Sequence, residues 1–376
     1  MNGIQITKKQ VTSPVGDVTG RSLQRLSGLM ALAFLTALIQ CQSIALASEV
    51  PSVPGGSHTS SRSPSPTFVS QFLTGIARGV PTSGNSDAAS PRQDVQQAEV
   101  AGSYRKAAEQ GNVDAQCMLG VLLMTGRGIR QDPAEAVSWL RKAAEQGHAN
   151  SQYFLGLALD EGVGVEKDET GAVEWWRKAA EQDHPDAQER LGYALQKGIG
   201  VTKDEAEGLK WYYKAAARGH ASAQNSLGYA LENGRGTEKN AAEAVKWYRV
   251  AADQGQVNAQ NNLALALTNG RGIAEDKIKA VEWWRKSSEL GHPKAQYNLG
   301  LALITGNGVE KNMTEAAIWW RKAAEQGHAE AQNNLGFALW TGDGIAKNQE
   351  EATRWLRKAA EQGNVHAIKT LRSLSR

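Results

Sequence analysis

Eight positions, Gly111, Gly147, Asp183, Gly219, Gly255, Gly291, Gly327 and Gly363, stand 36 residues apart without a slip and bound seven full repeats. A period of this length means stacked supersecondary units, none of which buries its apolar face alone. In the first half of each unit, apolar residues fall at helical spacing, as in Ala115, Leu119, Leu122 and Leu123 or Ala331, Leu335, Ala338 and Leu339. That is the stripe of one half-buried helix. A glycine pair then stops it, from Gly126 and Gly128 in the first repeat to Gly342 and Gly344 in the last. Four residues further on stands Asp132, Asp168, Asp204, Asn240, Asp276, Asn312 or Asn348, side chains that accept from the open amides of a second helix. Glu follows three residues later in five repeats, at Glu135, Glu207, Glu243, Glu315 and Glu351, the pattern of a capping box. Gly171 and Lys279 break it, so the second helices of repeats two and five are expected to start less firmly.

The second helix carries Trp139, Trp175, Trp211, Trp247, Trp283, Trp319 and Trp355 at one phase, usually followed by an alanine pair such as Ala143-Ala144. The indoles are expected to fill the space between helices that the alanines let approach. Gly120, Gly156, Gly192, Gly228, Gly300 and Gly336 recur within the first helix, with Ala264 in the remaining repeat. Glycine there costs about 1 kcal/mol against alanine, so its recurrence marks a crossing point without room for a side chain. Two helices of this length enclose no core, and stacking must bury their faces in a superhelix. The ends fit: residues 98–110, with Tyr104, repeat the second helix alone, and Val365 to Leu374 a lone first helix, with Arg372 at the crossing position.

The recurring Ala-Gln-x-x-Leu-Gly-x-Ala-Leu-x-x-Gly-x-Gly and Ala-Val-x-Trp-Trp/Tyr-Arg-Lys-Ala-Ala-Glu-Gln-Gly over residues 98–376 resemble the Sel-1-like repeat, a relative of the tetratricopeptide repeat. The resemblance implies an all-α fold, a right-handed α-α superhelix (solenoid) that holds partner proteins and has no chemistry of its own. Asp183, Ala264 and Ser287-Ser288 depart from the pattern and are expected to disturb the junctions after repeats two and five.

Outside the repeats the composition changes twice. The formal net charge of +3 lies entirely in residues 1–47, through Lys8, Lys9, Arg21 and Arg25 against Asp17. A neutral remainder has no net pull toward nucleic acid. Gly28 to Ile39 is almost continuously apolar behind Arg21 and Arg25. It is too short for the roughly 20 residues of a membrane-crossing helix, and reads as a signal peptide, with cleavage expected after Ala47. A retained signal anchor is the alternative; Gln40 before Cys41 argues against a lipid anchor. Residues 48–97 are rich in Ser, Pro, Gly and Thr, the composition of a disordered linker. Its exception is Phe68 to Leu73 with Ile76, which fits a short amphipathic turn for a partner. Of two cysteines, Cys41 and Cys117, the first falls in the leader, so a mature chain has no internal disulfide.

Candidate chemistry is sparse. His148, His184, His220, His292 and His328 share one repeat position, on the order of 10 Å apart between stacked helices, too far to share a metal. They read as helix-start residues. The Gly-x-Gly loops lack the continuation of a phosphate-binding motif and read as turns. Ser103 and Lys106 form a Ser-x-x-Lys without its companion motifs. No catalytic residue, metal or cofactor is assigned. A β-lactamase-like enzyme stays open as the alternative, although the paired cysteines of the relatives so described are missing, as does a self-associating structural component.

Binding is the remaining expectation. One face of the first helix varies between repeats and is free to be specific: Cys117, Tyr153, Glu189, Asn225, Asn261, Tyr297 and Asn333, then four residues on Val121, Leu157, Tyr193, Tyr229, Leu265, Leu301 and Phe337. The resemblance places first helices on a concave surface. Its aromatics and amides suit an extended peptide, and the expected partner-binding residues are Tyr153, Tyr193, Asn225, Tyr229, Asn261, Tyr297, Asn333, Phe337 and Trp340. The expected function is that of an exported, non-enzymatic protein-binding scaffold.

Overall fold

The computed structural model describes residues 91–374, which form sixteen α-helices and, among the described residues, no strand. The helices are α1 Pro91–Glu109, α2 Val113–Thr125, α3 Pro133–Glu145, α4 Ala149–Glu161, α5 Glu169–Glu181, α6 Pro185–Lys197, α7 Glu205–Ala217 and α8 Ala221–Asn233. They continue as α9 Ala241–Asp253, α10 Val257–Asn269, α11 Lys277–Glu289, α12 Pro293–Thr305, α13 Met313–Glu325, α14 Ala329–Thr341, α15 Gln349–Glu361 and α16 Val365–Leu374. Even-numbered helices are the first helices of the repeats and odd-numbered ones the second. The expected signal peptide, most of the expected linker and the Phe68–Ile76 stretch lie outside the described residues. α1 begins at Pro91, inside the stretch expected to be linker.

The fold is an all-α solenoid. It comprises two compact units, residues up to 158 with 162–166, and residues 159–161 with 167 onward. Helices α1 to α3 pack in succession in the first, and α5 to α16 in the second. The largest core of the second unit runs from Leu209 to Trp319 through fully buried Leu227, Tyr248, Leu263 and Leu299.

Two turns build each repeat. The first glycine of each pair caps the even helix in the left-handed region, as at Gly234 with φ 71°. The second approaches the preceding repeat: a Cβ on Gly236 (φ 75°) would collide with the Glu205 carbonyl that opens α7, so only glycine fits. The odd helix then starts on its Asp or Asn, which accepts from the amide three residues on in all seven repeats. Gly171 and Lys279 donate at 2.9 and 3.0 Å. The expected weak starts of α5 and α11 are therefore not found; both run 13 residues like the others.

The capping box itself needs correction. The N-cap amide is already bonded to a leucine carbonyl of the even helix, as Asp204 N–H to Leu195 O at 2.9 Å, so the glutamate has no amide to return to. It serves the neighbouring repeat instead. Arg105 donates to Glu135 at 2.5 Å, Arg177 to Glu207 at 2.6 Å and Arg285 to Glu315 at 2.5 Å, and Arg321 donates to Glu351. The same carboxylates accept from the indoles of Trp139, Trp211, Trp319 and Trp355. Held by the arginine bond, each of these four glutamates titrates below its ordinary value.

The first tryptophan thus lies at the edge of the core, buried at Trp211 and Trp319 and partly exposed in the other repeats, its ring commonly also under a lysine ammonium, as Lys142 over Trp139 at 3.9 Å. The residue after it fills the helix crossing. A Cβ on Gly120, Gly192, Gly228 or Gly336 would stand 2.7–2.8 Å from Leu140, Tyr212, Tyr248 or Leu356. The irregular junctions also hold. Asp183 adopts φ 65° where its equivalents are glycine, and Ser287 and Ser288 are as buried as the alanines they replace.

A buried glutamine joins successive pairs. Gln224 donates to the Ala216 carbonyl at the end of α7 and accepts from Gln254 at the end of α9, at 3.1 and 2.7 Å. The acceptor half recurs at Gln116, Gln296 and Gln332, fed by Gln146, Gln326 and Gln362. Arg218 and Leu290 stand where that feeding glutamine would be, and the Oε1 atoms of Gln188 and Gln260 are left buried without a protein partner.

Candidate protein-binding face

The even helices start on histidine or an amide. In α8, Ala223 N–H donates to His220 Nδ1 at 3.2 Å, so Nε2 carries the proton shared with Asp186 Oδ1 at 3.0 Å. His292 repeats this with Ala295 N–H and Asn258. The expected helix-start role of the histidines is found, with an added tie to the preceding even helix. No group of His, Cys, Asp and Glu that holds a metal occurs among the described residues.

The variable face divides in a way its composition does not announce. In the second unit, Tyr193 and Tyr229 are exposed, with Lys197 6.0 Å and Arg235 4.9 Å from the ring centres. Phe337 is exposed at the same register, and Leu265 and Leu301 between them are partly exposed. These five form one row of apolar side chains, one per even helix from α6 to α14.

The amides beside that row are engaged with one another. Asn225 accepts from Asn262 at 2.9 Å, Asn261 from Asn298 at 3.1 Å, and Glu189 from Ser226 at 3.2 Å. Asn261 is buried, which corrects its expected place on an open surface. Asn333 donates to Asn334 at 3.2 Å. Tyr297 is half-buried and stacks on the His328 ring, centroids 4.8 Å apart; burial raises its phenol pKa. Trp340 is partly buried against the core around Leu335 and Leu339. The column Ser226, Asn262, Asn298 and Asn334 was readable as recurring small polar residues, yet the pairing of its first three members 37 residues back needs the stacked helices.

In the first unit Tyr153 is also corrected: it is buried, its ring 5.4 Å from that of Phe154, and Cys117, Val121 and Leu157 are buried with it.

A chain of stacked antiparallel helix pairs, joined by side-chain ladders and carrying an exposed apolar row, belongs to the interaction-repeat class of α-solenoids. The Sel1 repeat model matches residues 104–112 and then seven consecutive 36-residue blocks from 113 to 364, and the chain belongs to the Sel1 repeat family. Among solved structures it is similar to c5321, a protective antigen of uropathogenic Escherichia coli displaying an SLR fold, at 34% identity and TM-score 0.60. That match covers 81% of this chain and 66% of the antigen, so this chain spans just under two thirds of that relative. It is also similar to a Sel1 repeat protein from Oxalobacter formigenes, at 33% identity and TM-score 0.59, covering 65% of this chain and 96% of that one. No curated protein matches. Sel1 repeat proteins generally act as protein–protein interaction scaffolds.

Proposed function

We propose that this protein is an exported scaffold that binds a partner protein in extended form along the row Tyr193, Tyr229, Leu265, Leu301 and Phe337, and catalyses nothing itself. One observation carries the reading: Tyr193, Tyr229 and Phe337 are 45%, 43% and 55% exposed at one register of a fold that buries Trp176, Tyr212, Tyr248, Trp284 and Trp320 at its helix crossings. Aligned apolar side chains left in water mark an interaction surface. Successive even helices about 10 Å apart match about three residues of an extended chain at roughly 3.3 Å each, so one partner side chain in three would meet the row. Lys197 and Arg235 beside the tyrosines favour acidic residues between those anchors. Asn225 adds hydrogen bonding at its rim, with its carbonyl end already spent on Asn262.

Export rests on the leader, Arg21 and Arg25 followed by the apolar run from Gly28 and by Ala45-Leu46-Ala47. The family is typically non-catalytic, and turnover of a chromogenic β-lactam by the purified protein would refute the scaffold reading. Affinity capture from the native envelope, with Tyr193→Ala/Tyr229→Ala/Phe337→Ala alongside, tests the row. The triple variant is expected to lose about tenfold or more of the captured partner, the scale of anchor residues, with circular dichroism unchanged. Equal capture removes the row, and self-association without any partner replaces the reading with a structural one.

A further inference from the structure

Four repeats set a glutamate carboxylate between the same two donors. Glu135, Glu207, Glu315 and Glu351 each accept from the arginine of the preceding odd helix and from the indole four residues on. At α11 both donors remain and the carboxylate is gone: Arg249 and Trp283 hold those positions, and Lys279 stands where the glutamate would be. Helices α9 and α11 keep the 13 residues and side-chain N-caps of their equivalents, so the three side chains leave the backbone at equivalent places. Lys279 does not fill the gap. Its ammonium turns back to Asp276 of its own cap at 2.9 Å, and Arg249 acts on it as a like charge. Among the described residues Arg249 makes no ion pair and Trp283 Nε1–H no hydrogen bond. Arg249 is exposed, whereas Arg105, Arg177, Arg285 and Arg321 are partly buried. Two further cations stand close by: Lys246 one turn before Arg249 on α9, and Lys286 over the Trp283 ring at 4.1 Å. Against these four stand Asp276, already bound to Lys279, and Asp253 and Glu282, exposed on α9 and α11.

We propose that a partner protein supplies the missing carboxylate, so that α9 and α11 hold an aspartate or glutamate side chain of that partner between the Arg249 guanidinium and the Trp283 indole. Both groups donate and neither accepts, so what binds there must be an acceptor, and an anion beside Arg249 and Lys279. A carboxylate fits best. The guanidinium offers two parallel donors to its two oxygens, and the equivalent pair of donors binds this group four times in the same molecule. The neighbouring residues favour a carboxylate set in an apolar stretch. Val250 and Ile278, next in the chain to Arg249 and Lys279, are 45% and 65% exposed, and the position of Val250 is lysine in the six other repeats. Repeat four thus exchanges a cation for apolar surface beside the one arginine of α9 whose carboxylate is missing. The site belongs to the odd helices of the second unit and the Tyr193 row to the even ones, so neither reading requires the other.

The test follows the Trp283 indole N–H of the full chain by heteronuclear NMR, with Trp283→Phe assigning the signal. Acetate is titrated against chloride at constant ionic strength and neutral pH. The Trp283 signal is expected to shift saturably, while those of Trp319 and Trp355, whose indoles already hold Glu315 and Glu351, stay in place. Arg249→Gln should weaken binding at least about tenfold, the loss of a charge-assisted bond. Lys279→Gln should keep it within about threefold, because an exposed ammonium contributes little. Lys279→Glu fills the gap from within and should abolish binding, with the unfolding midpoint no lower. A peptide Ala-Val-Glu-Val-Ala capped at both ends should bind at least about tenfold more tightly than acetate through its apolar neighbours, and its glutamine counterpart should not bind. Equal binding of that glutamine peptide with a free C-terminus would overturn the side chain as the source. A shift that does not saturate, or one that survives in Lys279→Glu, overturns the site itself. So does an equal response to sulfate, which would reduce it to a general cationic patch. Because the readout is at Trp283, it is independent of whether the Tyr193 row captures a partner.

Discussion

Repeats four and five are adjacent, equal in length and nearly opposite in how well their polar groups are satisfied. In repeat four, Gly228 receives the Tyr248 ring, Tyr248 Oη donates to Glu232 at 2.9 Å, Gln224 accepts from Gln254, and Glu243 accepts from Tyr213 at 2.7 Å. In repeat five, Ala264 replaces the crossing glycine, Lys279 the glutamate, Leu290 the glutamine and Ser287-Ser288 the alanines. Trp284 Nε1, Gln260 Oε1 and Ser288 Oγ are buried there without a protein partner. Yet α10 and α11 keep the 13 residues and side-chain N-caps of α8 and α9. The local signals that make helices and turns are redundant enough to survive these losses, whereas the ladders between repeats are not. Since solenoid stability is roughly a sum over neighbours, repeat five should be where this one opens first.

The largest expected effect tests the shared part. Gly236→Ala and Gly272→Ala each force alanine into the left-handed region, about 1–2 kcal/mol, and drive a Cβ into the Glu205 or Ala241 carbonyl, about 1–3 kcal/mol more. Each should lower stability by about 3 kcal/mol in chemical denaturation, the two alike. A clear difference between them would mean that the loops of the two repeats are not equivalent. Next comes Gly300→Ala, which gives repeat six the crossing of repeat five. In the native chain Trp320 Nε1 donates to the Tyr297 carbonyl at 3.3 Å and lies where that Cβ would go. Overpacking and the lost bond outweigh the helix-propensity gain of about 1 kcal/mol, for a net loss of about 1–2 kcal/mol. Amide exchange should then accelerate in α12 and α13 to the level of α10 and α11.

How much of this was readable beforehand follows the range of each interaction. Helix number, the crossing glycines and the caps were legible because each is written within a few residues and repeated seven times. Which of the two residues at Trp175-Trp176 or Trp211-Tyr212 turns inward was not, because both are large and aromatic and the deciding glycine lies some 20 residues upstream. The glutamates misled for a related reason: the amide they would cap is taken by a leucine carbonyl nine residues back, and their real partners lie 30 residues away. Among the candidate site residues, Tyr193, Tyr229 and Phe337 are where the pattern put them. Asn261 and Tyr153 are buried instead, the first accepting from Asn298 and the second with its ring beside Phe154.

Two substitutions should move repeat five toward repeat four. Leu290→Gln replaces an exposed leucine with the donor that Gln260 Oε1 lacks, and one hydrogen bond to a buried orphan is expected to raise stability by about 1 kcal/mol. No gain would mean that Oε1 is already satisfied by water.

The smallest effect is Lys279→Glu, which sets a carboxylate opposite Arg249 as Glu315 stands opposite Arg285. A surface pair of this kind contributes about 0–1 kcal/mol, and its pH dependence is more diagnostic than its size. The arginine bond lowers the folded-state pKa of Glu315 beneath its ordinary 4.5, so the stabilisation is fully present above about pH 4.5. It is lost as pH falls through the depressed value, when the folded carboxylate is protonated. The gain of Lys279→Glu over Lys279→Gln, read from denaturation midpoints, should therefore be present at pH 7 and absent near pH 2. A gain that persists in acid would not come from the carboxylate's charge, since Lys279→Gln removes the lysine equally, and the missing carboxylate would then not be what distinguishes repeat five.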